Sequence, residues 1–213
     1  MSKPTVGGHS SRCRIVIDTC ADLSPEIAAT LDVDILGFPY ILDGVEYTDD
    51  IWSSITPHEF YEKLRQGAHA STSAVSLGRF VEFFTSCAEE GTPTVYLSFT
   101  AGLSSSYNSA CQAADMVREQ YPDFEIYVVD NCSPCGAAGL LALEAVRQRA
   151  AGLNARELAA WANEAKHYIH GFFTIDSLDA LAAGGRIPPA AAQLSSKLDI
   201  KPEMSYDLSG SLT

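Results

Sequence analysis

The sequence predicts an α/β protein: an open, mostly parallel sheet with helices on its faces, followed by a second, smaller α/β unit. Three observations carry this. Short apolar runs alternate with longer segments of helical period from residue 14 to about residue 150. Capping and turn signals fall between those segments rather than inside them. The composition, 46% apolar and 19% charged over 213 residues, is that of a chain able to bury a real core.

Taken in order, residues 1–13 read as a flexible tail and 14–152 as an N-terminal α/β domain. "RIVID" (14–18) is a short buried strand. "LSPEIAATLD" opens a helix, with Ser24 as N-cap and Pro25 at the first helical position. The alternating stretch "VDILGFPYILDGVEYTDD" carries Asp43-Gly44, a type I′ hairpin signal. Thr56 and Glu59 form a capping box, Pro57 follows the cap, and Gly67 ends that helix. The next helical stretch sets Phe80, Phe83, Phe84 and Cys87 on one face. "TVYLS" and "EIYVVD" are strands, followed by helices over "SSYNSACQAADMVREQY" and "GAAGLLALEAVRQRA". Residues 153–213 read as the start of a second α/β domain. It opens with a helix capped by Asn154 and Glu157, then a strand at "IHGFFTI", two helices and a strand at "IKPEMSYD". "DLSGSLT" reads as a hairpin turn lacking its return strand.

The net charge of −13 repels phosphate backbones, which argues against nucleic acid as a partner. No apolar run reaches the length of a membrane span, and the opening residues lack the apolar core of a signal peptide, so a cytoplasmic location is expected. Six cysteines in such a chain read mainly as buried thiols. Cys132 and Cys135 alone form a C-x-x-C, between a strand and a helix, and a thiol-disulfide redox role is the alternative function this motif offers. Two adventitious thiols in a Gly/Pro turn is the plainer reading. There is no second pair to complete a zinc site, no G-x-S-x-G elbow, and no Walker or Rossmann fingerprint.

In open α/β sheets, ligands bind at the carboxyl ends of the strands. "SFTAGLSSSYNSA" (98–110) lies at such an end and crowds hydroxyls into a strand-to-helix junction without an acid, base or lysine. Helix capping by Ser104 or Ser105 explains part of it. The same hydroxyls, beside free helical N–H groups, can also hold a carboxylate or phosphate. "ASTSAVS" (70–76) is a second hydroxyl cluster before a Phe-rich helix, and "AAGGRI" (182–187) presents Arg186 after a glycine pair. Each has an ordinary loop or C-cap reading. Together they suggest polar donors at the mouth of one apolar pocket.

The ordered set "IDTCADL" (17–23), "GVEYTDD" (44–50), "TSAV" (72–75), "TAGLSSSYNSA" (100–110), "VVDN" (128–131), "LAAGGRI" (181–187) and "LDIKPEMSYDLSGSL" (198–212) resembles the DegV family of fatty-acid-binding proteins. The resemblance implies a two-domain fold with a long-chain fatty acid such as palmitate in a tunnel between the domains. It implies a carrier without catalytic residues, metal or cofactor, which presents the acyl carboxylate to a partner fatty acid kinase for acyl-phosphate formation. By matching positions, Thr72 and Ser104 would bind the carboxylate, Ser73 and Ser105 would lie beside them, and Arg186 would face the partner or the phosphate. The sequence departs from the family where "S-G-T" becomes Ser104-Ser105-Ser106 and where the "T-S-Q-P" loop lacks its Gln and Pro. It also stops where the family's sequences run on, so the second domain is expected to be truncated.

Overall fold

The structure of the protein, a computed structural model, describes residues 13–198 and 200–213. The tail expected at 1–13 lies outside these residues except for Cys13, which is buried. Residues 14–130 build two sheets. Strands β1 (Arg14–Asp18), β2 (Asp34–Leu36), β6 (Thr94–Ser98) and β7 (Ile126–Asp130) form a parallel sheet in the order β2-β1-β6-β7. Strands β3 (Pro39–Leu42), β4 (Val45–Thr48) and β5 (Ala70–Thr72) form an antiparallel sheet in the order β4-β3-β5. The predicted hairpin joins β3 to β4. Asp43 and Gly44 have φ of 51° and 80°, the two left-handed positions that a type I′ turn requires.

The parallel sheet is apolar on both faces because each strand alternates between two helical layers. Ile15, Ile17, Val95, Leu97 and Val129 face α5 (Cys135–Ala150) and α6 (Ala155–Ala165). Val16, Tyr96 and Ile126 face α3 (Leu77–Glu89) and α4 (Ser106–Gln120). On α3, Phe80, Phe84 and Cys87 are fully enclosed and Phe83 packs at the margin, as the spacing predicts. The helix α5 approaches β1's end closely: a Cβ on Gly139 would stand 2.6 Å from the Ala21 carbonyl oxygen. The break expected at 152–153 falls in the turn between α5 and α6. Across it, α6 packs into the same core as α5, through Ala155, Leu158, Ala159 and Ala162 at helical spacing.

Local signals set the helix starts. Ser24 caps α1 (Pro25–Thr30), its Oγ accepting from the Ile27 N–H. Thr56 and Glu59 close their box at α2 (Pro57–Arg65), and Asn154 and Glu157 do so at α6. The chain after α6 is less regular than its sequence predicts. Helices α7 (Asp179–Ala183) and α8 (Pro189–Leu198) form, but the strands expected at 169–175 and 200–207 reduce to isolated bridges, Phe173 to Met204 and Tyr206 to Leu212. Pro202 has no N–H to give a ladder, and the pairing shrinks to reciprocal bonds of 3.0 and 2.8 Å between Phe173 and Met204. The terminal turn does have a return arm: Ser205 and Thr213 exchange backbone bonds of 3.0 Å in each direction. None of the described helices is long and apolar enough to cross a membrane.

Candidate functional site

The carboxyl ends of β1, β6 and β7 are laced together by two aspartates. Asp18, at the end of β1, accepts from the Phe99 N–H (2.6 Å), the Tyr96 hydroxyl (3.1 Å) and the Cys20 N–H (3.1 Å). Its burial pushes its pKa up from 3.8 to about 7, against the pull of those three donors. Asp130, at the end of β7, accepts from Ala101 N–H (3.2 Å) and Cys132 N–H (2.9 Å). The loop after β6 is thereby fixed on both sides before it reaches the serines.

Within that loop the serines divide their work. Ser105 occupies the N-cap position of α4 but its side chain makes no capping bond, and it is exposed. Ser104 Oγ instead accepts from the Ser106 N–H at 3.2 Å and lies 2.9 Å from Ser106 Oγ. Ser106 is fully buried, and its Oγ accepts from the Val75 N–H at 3.0 Å. That one hydroxyl joins the two hydroxyl clusters of the sequence: the 98–106 loop on the parallel sheet and the 70–76 segment leaving β5. A buried amide whose partner is a side chain 31 positions away has no local sequence signature.

Above these loops lies a cavity of about 430 Å³. Its floor holds Phe99, Leu103 and Cys20. One wall is the antiparallel sheet through Phe38, Pro39 and Tyr40. A second wall is aromatic, with Trp52 and Phe60, and Leu181 of α7 closes another side. Phe60 meets both Tyr40 and Trp52 edge-on, with ring centroids 6.1 and 5.9 Å apart. Trp52 reaches this position because Ile51 and Trp52 both take left-handed backbone, φ 56° and 61°, an arrangement uncommon for bulky side chains. The Asp49 carboxylate holds the turn by accepting from the Ile51 N–H at 3.0 Å.

Of the residues singled out from the sequence, Thr72, Ser73, Ser104 and Arg186 line this cavity together. Ser105 does not line it; its neighbour Ser106 is turned inward and its own side chain is left outside. Arg186 reaches across from the segment after α7, its Nε donating to the Leu103 carbonyl at 3.2 Å and its Nη1 to the Gly184 carbonyl. The cavity is therefore largely apolar, with three hydroxyls, one guanidinium and the carboxylates of Asp49 and Asp50 among its lining. Such a site suits an amphiphile with a long apolar body and an anionic end. The aromatic wall was missed in the sequence. Tyr40 of that wall also stacks on Tyr47 of β4, with ring centroids 5.3 Å apart.

The C-x-x-C motif sits elsewhere. Cys132 and Cys135 are free thiols at the end of β7 and the start of α5. Burial pushes both thiols up from their ordinary value, the opposite of what activates a redox thiolate. No group of metal-ligating side chains occurs among the described residues.

Comparison with known proteins agrees with this geometry. Residues 12–213 match the family model described as "Uncharacterised protein, DegV family". A DegV domain-containing protein of Clostridium perfringens is 40% identical over 198 residues, covering 93% of this chain and 68% of the relative. The crystal structure of a stearic-acid-binding protein from Eubacterium ventriosum superposes with a TM-score of 0.82 at 32% identity, over 94% of this chain and 68% of that one. A fatty-acid-binding DegV family protein from Thermus thermophilus superposes with a TM-score of 0.79 at 28% identity, over 94% and 69%. With the match running through nearly all the described residues, the chain belongs to the DegV family.

Proposed function

We propose that this protein binds a long-chain fatty acid in the cavity above the loop after β6, with the carboxylate among Thr72, Ser73 and Ser104. The observation that carries this reading is that those three hydroxyls and Arg186 line one largely apolar cavity, whose other charged lining is Asp49 and Asp50. The volume of about 430 Å³ falls within the range of small-molecule sites. Related proteins of this fold were solved with stearic acid and as fatty-acid binders, which supports the same ligand class here. An acyl chain of sixteen carbons brings roughly fourteen methylenes at ~0.8 kcal/mol each. A hydrogen bond to a charged group contributes ~1.5–3 kcal/mol. The apolar walls dominate affinity and the hydroxyls choose which end of the ligand faces them.

Hydroxyls hold a carboxylate without attacking it. On this reading the chain is a carrier rather than an enzyme, and the exposed carboxylate is offered to a partner that phosphorylates it. Arg186, at the cavity's edge and exposed, suits a phosphate in transfer. Native mass spectrometry of the purified protein tests the first step. A co-purified acid of fourteen to eighteen carbons, on the order of one per chain, is expected from the size and lining of the site. A ligand-free protein that also fails to take up added palmitate would overturn the proposal.

A further inference from the structure

The headgroup loop is organised from below by one residue that does not touch the cavity. Thr100 is fully buried. Its hydroxyl donates to the Gly210 carbonyl at 3.1 Å and accepts from the Gly102 N–H at 3.1 Å. Its carbonyl accepts from the N–H groups of Leu103 and Ser104, both at 3.3 Å. Every bond that folds the segment from 100 to 104 back on itself thus passes through Thr100, and Leu103 and Ser104 emerge from it into the cavity, Ser104 with the polar group.

The partner of that hydroxyl comes from the far end of the chain. Gly210 sits at φ 75° in the terminal turn, and a Cβ there would stand 1.8 Å from Thr100 Oγ1. A Cβ on Gly102 would stand 2.4 Å from the Gly210 carbonyl carbon. The two backbones touch because neither position carries a side chain. Arg186, also from the segment after α6, holds the Leu103 carbonyl of the same loop. The C-terminal segment therefore grips the headgroup loop at two points.

From this geometry we infer that Thr100 is a positioning residue for carboxylate recognition, setting the Ser104 hydroxyl through its clasp on Gly210. The inference rests on the fatty-acid reading above. It assigns Thr100 no contact with ligand. Its removal should blunt the discrimination between an acid and a neutral amphiphile of equal length, since the apolar lining outside this loop, Phe38, Tyr40, Trp52 and Phe60 among it, is untouched.

The test measures binding of myristate and of tetradecanol to the wild type, Thr100→Val and Thr100→Ser. Valine keeps the shape and removes the hydroxyl, while serine keeps the hydroxyl. Expected is a loss of about tenfold for myristate in Thr100→Val, a change of less than about twofold for tetradecanol, and recovery in Thr100→Ser. Equal losses for both ligands, or no loss for myristate, would overturn the inference and leave the fatty-acid reading standing. Failure of the wild type to bind myristate overturns that reading, and the inference with it. Should Thr100→Val not fold, Thr100→Ala, which removes the hydroxyl without adding a group to the buried site, is read by the same two criteria.

Discussion

Asp18 ties folding stability to pH in a direction opposite to that of most carboxylates. Enclosed at the end of β1, it has its pKa pushed from 3.8 to about 7 by burial, with the Phe99 N–H, Tyr96 hydroxyl and Cys20 N–H pulling the other way. Between those two values the folded protein holds a proton that the unfolded chain has released. The group's contribution is fully present below the unfolded value and is lost as pH rises through the folded one. At ~1.4 kcal/mol for each unit, the whole span is worth about 4 kcal/mol, and the part lost between about pH 5 and pH 8 is about 3 kcal/mol. Other groups titrate over the same interval, so the measurement compares the wild type with Asp18→Asn by urea unfolding at both pH values. The asparagine cannot titrate. It also turns an amide N–H toward donors, so it is less stable at the lower pH. The wild type should lose about 2–3 kcal/mol more than the variant on going from the lower to the higher pH. Parallel losses, equal within about 0.5 kcal/mol, would refute the reasoning. They would mean that the three donors, and not burial, decide the charge of Asp18.

Three further outcomes follow from the site. Ser106→Ala leaves the buried Val75 N–H without an acceptor, at a cost of about 1–3 kcal/mol, and should lower the melting temperature by about 2–10 °C in a scanning experiment; an unchanged melting temperature would show that the bond is dispensable. Thr72→Ala and Ser104→Ala should each weaken palmitate binding by about 1–3 kcal/mol with the far-UV spectrum preserved, and full affinity in either variant removes that residue from the headgroup site. Arg186→Ala should leave palmitate affinity within about threefold, because the apolar walls remain, while slowing acyl-phosphate formation by a partner kinase; a large loss of affinity would make the guanidinium a ligand of the carboxylate instead.

Much of the architecture could be read locally. Ser24, Thr56 with Glu59, and Asn154 with Glu157 each announce a helix within a few residues of chain, and Asp43-Gly44 announces the hairpin. Those signals depend on short-range hydrogen bonds and so survive in a linear reading. The hydroxyl junction was legible as a group but not in its parts. Sequence spacing makes Ser104 and Ser105 rival caps, whereas the structure turns Ser104 toward the cavity, leaves Ser105 exposed and buries Ser106 against Val75. That choice is tertiary. The same holds for the aromatic wall, which depends on the left-handed pair Ile51–Trp52, two residue types that local rules place elsewhere. The strands expected after α6 were apolar and well spaced, but in the structure they make isolated bridges only.

The strand order β2-β1-β6-β7 bears on how the chain is assembled over time. β1 and β2 can pair as soon as residue 36 is made, but the other edge of β1 waits for β6. The whole antiparallel sheet, β3 through β5, is synthesised in that interval. Contacts so separated along the chain form late, after the entropy of closing the intervening loop has been met. As the chain leaves the ribosome, the hairpin wall of the cavity is therefore available before its floor. The loop whose Ser106 holds the Val75 N–H arrives only with residues 98–106, and its clasp on Gly210 forms later still.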